Sequence, residues 1–456
     1  MKVNHYVFRQ YDVRGVVADD FYPQFVTGLG RAFGTFVKRE GVREISLSGD
    51  VRLTTPELKK QFKKGVLATG IDVIDIGILP TPANYYSMWK LDVGAAVQIT
   101  GSHNPAEMNG FKMSLNKGAV YGDQIQQLRA FMESEDFESG DGTEVKYRIL
   151  DEYIEMLRSK INLERSMKLV MDCGNAAACL AAPEVFSGLG AEMTELYCDV
   201  DGRFPNHHPD PTVLENVTEL VSIMKMGDFD AGLAYDGDAD RIGLIDEMGK
   251  VVFADQIMAL MLPEIISNNA EILFDVKCSQ ALEDEILRLG GRPVIWKTGH
   301  SLIKQRMKEL GCKFGGEMSG HIFFADDYFG YDDAIYVSAR VVQMLSRQEK
   351  KLSELVSALP QYHSTPEMRL ECPDDEEKFR INDEAMAYFK QKYDCLDIDG
   401  VRIRFSDGWG LVRASNTQPV IVCRFEAKTE DRMKEIQQSI LSKIKELGEV
   451  DIPDVV

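Results

Sequence analysis

The sequence has little that would tie it to a membrane, a secretory route or a nucleic acid. No apolar run approaches the roughly 20 residues of a membrane-spanning helix. The start, Met1-Lys2-Val3-Asn4-His5-Tyr6, leads into polar sequence without a secretory hydrophobic region. The eight cysteines, at 173, 179, 198, 278, 312, 372, 395 and 423, form no Cys-x-x-Cys pair. They read as reduced thiols in or near the core, and the expected compartment is the cytoplasm. Positive charge is scarce: 52 Lys and Arg stand against 73 Asp and Glu, a formal net charge of −21. That balance disfavours general binding to nucleic acid or an anionic membrane surface. Any phosphate ligand must find its cations gathered locally.

What remains is ordinary for a globular chain, with 44% apolar and 27% charged residues in 456. Length alone suggests about three domains. The order of elements suggests four. Glu44–Ser48, Val73–Ile76 and the apolar run Val93–Thr100 read as strands. Thr55-Pro56-Glu57 reads as a capped helix start that Gly70 terminates. The acidic stretch Ser134–Glu144 reads as a linker. Further strands are expected at Leu169–Asp172, Ala231–Tyr235, Ile272–Val276, Val294–Trp296 and Ile322-Phe323-Phe324. After Pro360 the pattern changes to a helix near Asp374–Tyr393, strands near Val401–Phe405, Leu411–Ala414 and Val420–Ala427, and a helix near Asp431–Leu447. The expected class is α/β: three similar α/β domains with mixed sheets, over residues 1–145, 146–253 and 254–363, then a smaller α+β domain over 364–456.

Four loops carry candidate chemistry. Asp236-Gly237-Asp238-Ala239-Asp240-Arg241 places three carboxylates at every second position, a donor set for one hard divalent cation, with Mg²⁺ the usual choice. Such a site needs further oxygens. Gly101-Ser102-His103-Asn104-Pro105 follows an apolar strand, and a phosphorylated Ser102 would add an anionic oxygen. Lys112, shortly after, is placed to neutralise a phosphoryl group or, with a lowered pKa, to exchange a proton. Glu317-Met318-Ser319-Gly320-His321 offers the mixed donors and acceptors that sugar hydroxyls want, and His321 is a candidate acid/base rather than a metal ligand. Arg413-Ala414-Ser415-Asn416-Thr417 combines a guanidinium fork with short donors suited to phosphate. Tyr11, Arg14, Lys277 and the run Lys297-Thr298-Gly299-His300-Ser301 add polar and cationic support. Ligand sites in open α/β sheets lie beyond the carboxyl ends of strands, so these loops are expected around one central cleft.

In this order, and with Tyr11-Asp12-Val13-Arg14-Gly15 at the start, the loops resemble the α-D-phosphohexomutase superfamily over essentially the whole chain. Its bacterial phosphomannomutase/phosphoglucomutase group is the most similar. The resemblance implies reversible conversion of hexose 1-phosphate to hexose 6-phosphate, through a phosphoserine enzyme and a hexose 1,6-bisphosphate. It implies phosphorylation of Ser102, and Mg²⁺ held by Asp236, Asp238, Asp240 and a phosphoserine oxygen. Glu317 and Ser319 match residues that hold sugar hydroxyls. Arg413, Ser415, Asn416 and Thr417 match the loop that grips the standing phosphate. Arg14, Lys112 and His321 match groups that assist proton transfer, and Tyr11, His103, Arg241, Lys277 and His300 match positions near the ligand. Turning the intermediate round implies a fourth domain that opens and closes, in a monomer or homodimer. The sequence departs in two places. Gly101 stands where many relatives carry alanine, and Gln418 where many carry glutamate. Phosphoglucosamine mutase, a metal-dependent sugar-phosphate phosphatase and a silent sugar-phosphate sensor are the alternatives.

Overall fold

The structure is a computed structural model and describes residues 3–267, 269–415 and 419–452. It divides into two compact units. One holds Met1–Ile257 with Ser319–Val356, the other Met258–Met318 with Ser357–Val456.

The first unit carries two mixed sheets. In the N-terminal one the strands run Val13–Val16, Met108–Leu115, Ala95–Ile99, Glu44–Gly49, Asp72–Ile78, Glu144–Lys146 across the sheet. The central strands pair in parallel, and Met108–Leu115 returns antiparallel beside Ala95–Ile99. Ala95–Ile99 is buried on both faces, which is why it reads as a near-continuous apolar run. Helices Pro23–Arg39 and Thr55–Leu67 bury Phe25, Phe33 and Phe62 against Phe111 of the sheet. The second sheet places Ala231–Tyr235 parallel to Lys168–Asp172, which is parallel to Glu192–Leu196. Ile242–Ile245 returns antiparallel. In both sheets the loops of interest therefore leave the carboxyl ends of buried parallel strands.

The second unit contains the parallel strands Arg292–Trp296, Glu271–Asp275 and Phe314–Gly316. Its C-terminal portion is antiparallel, with strands Asp394–Leu396, Val401–Phe405, Gly408–Ala414, Val420–Ala427 and Met368–Glu371. Helices Asp375–Lys392 and Glu430–Leu447 pack on it, each started by a side-chain cap from Asp374 and Thr429.

Two local expectations change. The stretch 134–144 is bound to the first sheet rather than bridging freely. Gly140 and Gly142 donate to the Ala68 and Leu67 carbonyls, and Glu144–Lys146 forms the edge strand. The bare backbone of the two glycines permits this close approach. Thr55 does not cap its helix; its hydroxyl donates to Asp50 at 2.7 Å. No helix among the described residues is long and apolar enough to cross a membrane.

Candidate active site

The serine loop is held from beneath. Strand Ala95–Ile99 ends at Thr100, and Ser102 takes a left-handed backbone (φ +49°) with 1% exposure. Few non-glycine residues adopt that conformation without being forced. The force comes from Arg52, itself 1% exposed, whose guanidinium donates to the carbonyls of Ser102 (2.7 Å), Asn104 (2.6 Å), Pro105 (2.6 Å) and Met108 (3.2 Å). Asp50 holds Arg52 at 3.1 Å and also accepts from Thr55, Thr100 and the Gly101 amide. A Cβ at position 101 would lie 2.6 Å from the Arg52 guanidinium carbon. Glycine at 101 thus lets the arginine lie directly under the loop. Asp50 and Arg52 belong to none of the four motif loops of the sequence. The available signal was a charged pair, Asp50-Val51-Arg52, immediately past the strand Glu44–Gly49.

The aspartate loop closes on top. Asp236, Asp238 and Asp240 are fully buried, and each has a carboxylate oxygen within 4.8 Å of the others'. Asp236 Oδ1 accepts the amides of Asp240 (3.0 Å) and Arg241 (3.2 Å), which wraps the loop. Asp236 Oδ2 accepts Ser102 Oγ at 2.9 Å. Gly237 lies against the serine loop: a Cβ there would sit 2.1 Å from the Ser102 carbonyl oxygen. Lys112 Nζ donates to Asp238 Oδ2 (2.7 Å) and Asp240 Oδ2 (2.5 Å). The second oxygens, Asp238 Oδ1 and Asp240 Oδ1, are buried with no hydrogen-bond partner. Buried carboxylate oxygens left unbonded are costly. An all-oxygen set with two such atoms fits a hard divalent cation.

The charges settle roles. Burial alone would raise the Asp238 pKa, but Lys112 outweighs it and holds the carboxyl well below its ordinary range. Burial, with Asp240 and Asp238 beside it, pushes Asp236 well up. Burial would lower Lys112, yet Asp238 and Asp240 carry it far above the usual lysine value. In this arrangement Lys112 is held as a cation by the two carboxylates, which suits charge neutralisation.

Around this pair lie further cations. Arg14 is held by Asp12, with Tyr11 half-buried one residue earlier. His103 Nδ1 is 3.3 Å from Ser102 Oγ. Burial, then the neighbouring Arg241, Arg14 and Lys112, keep its imidazole well below the ordinary pKa. His321 is buried. Its Nε2 accepts from Arg241 Nε at 3.0 Å, and its Nδ1 is 3.0 Å from Asp332 Oδ2 and 3.6 Å from Asp240 Oδ1. A donor on Nε2 assigns the proton to Nδ1, facing Asp332. Asp332, also missed in the sequence, orients this histidine. Gly320 joins the turn to the aspartate loop by accepting Ile242 N at 3.2 Å, and Ser319 beside it is half-buried. The structure thus brings Ser102, His103, Lys112, the three aspartates, Arg241 and His321 together within the first unit.

In the second unit the remaining candidates lie among four carboxylates, Glu317, Asp275, Asp399 and Glu367. Glu317 is buried and accepts Gly299 N at 2.5 Å. Asp275, at the end of its strand, accepts Thr298 Oγ1 (3.1 Å) and Met318 N (3.3 Å). Asp399 accepts Thr298 N at 3.0 Å and pairs with Arg413 Nε at 3.1 Å. Lys277 pairs with Glu367 at 3.2 Å, and Glu367 outweighs the burial that would lower the lysine pKa. His300 opens the helix His300–Leu310. The Ser415 carbonyl accepts Lys378 Nζ at 2.9 Å. Asn416 and Thr417 lie outside the described residues. Behind these loops, buried Arg402 donates to the Val276 and Cys278 carbonyls, each at 2.9 Å, and Arg424 donates to the Lys277 carbonyl. Arg402 also stacks on Trp409.

Comparison with known proteins agrees with this architecture. Three models of phosphoglucomutase/phosphomannomutase alpha/beta/alpha domains match: domain I over residues 5–139, domain II over 151–249 and domain III over 253–362. The C-terminal domain model matches 367–443. A phosphomannomutase/phosphoglucomutase of Pseudomonas aeruginosa is 42% identical over 443 residues, covering 96% of this chain and 95% of its own length. A phosphoglucomutase of Neisseria meningitidis is 40% identical, covering 96% of each. A crystal structure of a phosphoglucomutase/phosphomannomutase family protein from Burkholderia thailandensis superimposes with a TM-score of 0.93 at 38% identity, covering 99% of this chain and 100% of that one. With four domain models matching in one order along most of the chain, the chain belongs to the phosphoglucomutase/phosphomannomutase family.

Proposed function

We propose that this hexose-phosphate mutase carries the phosphoryl group on Ser102 and works through a hexose 1,6-bisphosphate. One observation carries the reading: Ser102 Oγ is hydrogen-bonded to Asp236, beside two buried carboxylate oxygens that accept no hydrogen bond. Asp236, Asp238, Asp240 and an oxygen on Ser102 would hold Mg²⁺, whose oxygen preference matches a set with no thiol or imidazole. When bound, the ion supplies positive charge next to the transferring oxygens.

The chain's own groups do the rest. Arg52 and Asp50 fix the direction of Ser102. Lys112, Arg241 and Arg14 offset charge spread over the phosphoryl oxygens. The sugar hydroxyl attacks, the bond from phosphorus to Ser102 Oγ breaks, and His321 takes the hydroxyl proton on Nε2, which Arg241 vacates as it turns to the phosphoryl oxygens. Asp332 stabilises the imidazolium so formed. His321 returns the proton when the second phosphoryl group goes back to the serine. Glu317 and Ser319 hold sugar hydroxyls, aided by Tyr11, His103, Lys277 and His300. Arg413, Ser415, Asn416 and Thr417 hold the phosphate that is not reacting. Mannose and glucose phosphates are the first substrates to try, as the relatives' names carry both. Residues 1–145, 146–253, 254–363 and 364–456 are the four functional segments. The working form is a cytoplasmic monomer or homodimer that engages neither nucleic acid nor membrane. The charge of −21 supports the last point, that neither nucleic acid nor an anionic membrane is a partner.

The test is Ser102→Ala, assayed for glucose 1-phosphate to glucose 6-phosphate conversion with added 1,6-bisphosphate. Loss of at least about 10³-fold in kcat is expected when a nucleophilic carrier is removed. Near-normal turnover rejects Ser102 as carrier.

A further inference from the structure

Away from the reacting groups, the carboxyl end of strand Lys168–Asp172 holds a cluster of thiols. Cys173 and Cys198 approach to 3.3 Å between sulfurs, and Cys179 lies within hydrogen-bonding reach of Cys173 on another side. The main chains suit a covalent link. Asp172 and Leu196 are register partners in adjacent parallel strands, and Cys173 N donates to the Leu196 carbonyl at 3.1 Å. Adjacent parallel strands lie about 4.8 Å apart, so the segments that leave their ends start side by side, Cys173 one residue and Cys198 two residues past the last register pair. The backbone turns on both sides. Gly174 and Asn175 after the first cysteine have φ of +55° and +58°, and Tyr197 before the second has +51°. A left-handed tyrosine is a local strain that its surroundings must maintain. The Asn175 amide donates to the Tyr197 carbonyl at 2.7 Å, so the two segments are already fastened together.

The two thiols differ in access. Cys198 is partly exposed, while Cys173 is fully buried. The buried one sits in a turn that touches the aspartate loop, since Ala177 N donates to the Gly237 carbonyl at 3.3 Å. Burial also pushes the Cys173 thiol well up, so of the two it is Cys198 that meets an oxidant first.

We propose that Cys173 and Cys198 form a site of reversible oxidation at which a hydroperoxide closes an intramolecular disulfide, and that the closed form slows the mutase by restraining the turn beside Gly237. The Cys198 thiolate attacks the terminal peroxide oxygen, giving a sulfenic acid and releasing an alcohol, or water from hydrogen peroxide. The Cys173 sulfur then attacks the sulfenic sulfur, forming the S–S bond and releasing water. Two thiols are oxidised, one peroxide is reduced, and both thiol protons leave in the products. A thiol reductant reverses the step.

The experiment treats the full-length chain with a small excess of hydrogen peroxide, then alkylates and maps it without reduction. Wild type is expected to lose two hydrogens in mass and two of eight alkylatable thiols, with a peptide joining Cys173 to Cys198. Cys179→Ser should still form that link, and Cys198→Ser should not. Full alkylation after treatment, a link to Cys179 instead, or a sulfinic acid on Cys198 without any link overturns the assignment. Hexose-phosphate turnover should fall severalfold in the oxidised wild type and recover with dithiothreitol, while Cys198→Ser holds its rate throughout. An unchanged rate in fully linked protein overturns the coupling to the aspartate loop.

Discussion

Gly237→Ala tests how closely the two catalytic loops must approach. The new Cβ would lie 2.1 Å from the Ser102 carbonyl oxygen, a backbone atom that cannot rotate away. Gly237 is not among the glycines with left-handed φ, so the substitution costs contact rather than conformation. Reaching ordinary van der Waals separation requires the loops to part by more than an ångström. Ser102 Oγ and Asp236 Oδ2, now 2.9 Å apart, would then lose their hydrogen bond. A misplacement of about 1 Å between reacting groups costs about 10²-fold in rate, equivalent to about 3 kcal/mol. Overpacking adds about 1–3 kcal/mol of lost stability. We therefore expect kcat to fall about 10²-fold, with a lower Tm. Gly118→Ala is the control, because a Cβ there meets only the Leu115 carbonyl at 3.5 Å. The assay is steady-state turnover of glucose 1-phosphate at saturating bisphosphate, with thermal melting in parallel. Gly237→Ala turnover within about twofold of wild type would show that the loops have slack, and would refute the argument from close contact.

Three other outcomes follow from the same geometry. Arg52→Lys keeps a cation but loses the planar fork that reaches four carbonyls, so kcat should drop about tenfold or more while KM changes little; wild-type kcat would remove Arg52 from the positioning of Ser102. Mg²⁺ at about 100 times its Kd should stabilise the protein by about 2.7 kcal/mol, visible as a raised Tm that Asp238→Asn abolishes. A wild-type Tm indifferent to Mg²⁺ would sink the metal reading of the three aspartates. His207 pairs with Asp172 at 3.1 Å, which outweighs burial and raises the imidazole pKa. Its contribution is therefore fully present below the unfolded value of about 6.5 and lost as pH rises through the folded pKa. Tm of wild type should fall across that window relative to His207→Gln, and parallel curves would contradict it.

Much of the candidate site was legible because its chemistry is local in sequence. Three aspartates on alternate positions, a serine after an apolar strand and an arginine in a polar turn announce themselves by type and spacing. The strands carrying them were legible as well, since strands buried on both faces read as apolar runs. What was missed depends on residues distant in sequence. Arg52 acts on carbonyls about fifty residues away, and neither partner has a side-chain signature to betray the contact. Asp332 looks like one more acid in an acidic chain until folding sets it against His321. The stretch 134–144 looked like a linker because glycine and acidic residues suit linkers. The same glycines let the chain lie against Ala68 and form a sheet edge. Lys112 was legible as a group to neutralise a phosphoryl or to exchange a proton, but its pairing was not, because its partners Asp238 and Asp240 lie more than a hundred residues further on.

The paired arginines of the C-terminal sheet have a consequence for anyone building chimeras. Arg402 and Arg424 are buried, yet the carbonyls they serve, Val276 to Cys278, belong to a segment more than 120 residues earlier. Excising the last hundred residues would cost the two arginines these carbonyl acceptors on one fragment and the three carbonyls these donors on the other. Grafting a relative's C-terminal portion onto this chain would succeed only with a matching 276–278 turn. The terminal sheet is inherited together with the loop that bears Lys277, whatever the domain boundaries drawn along the sequence.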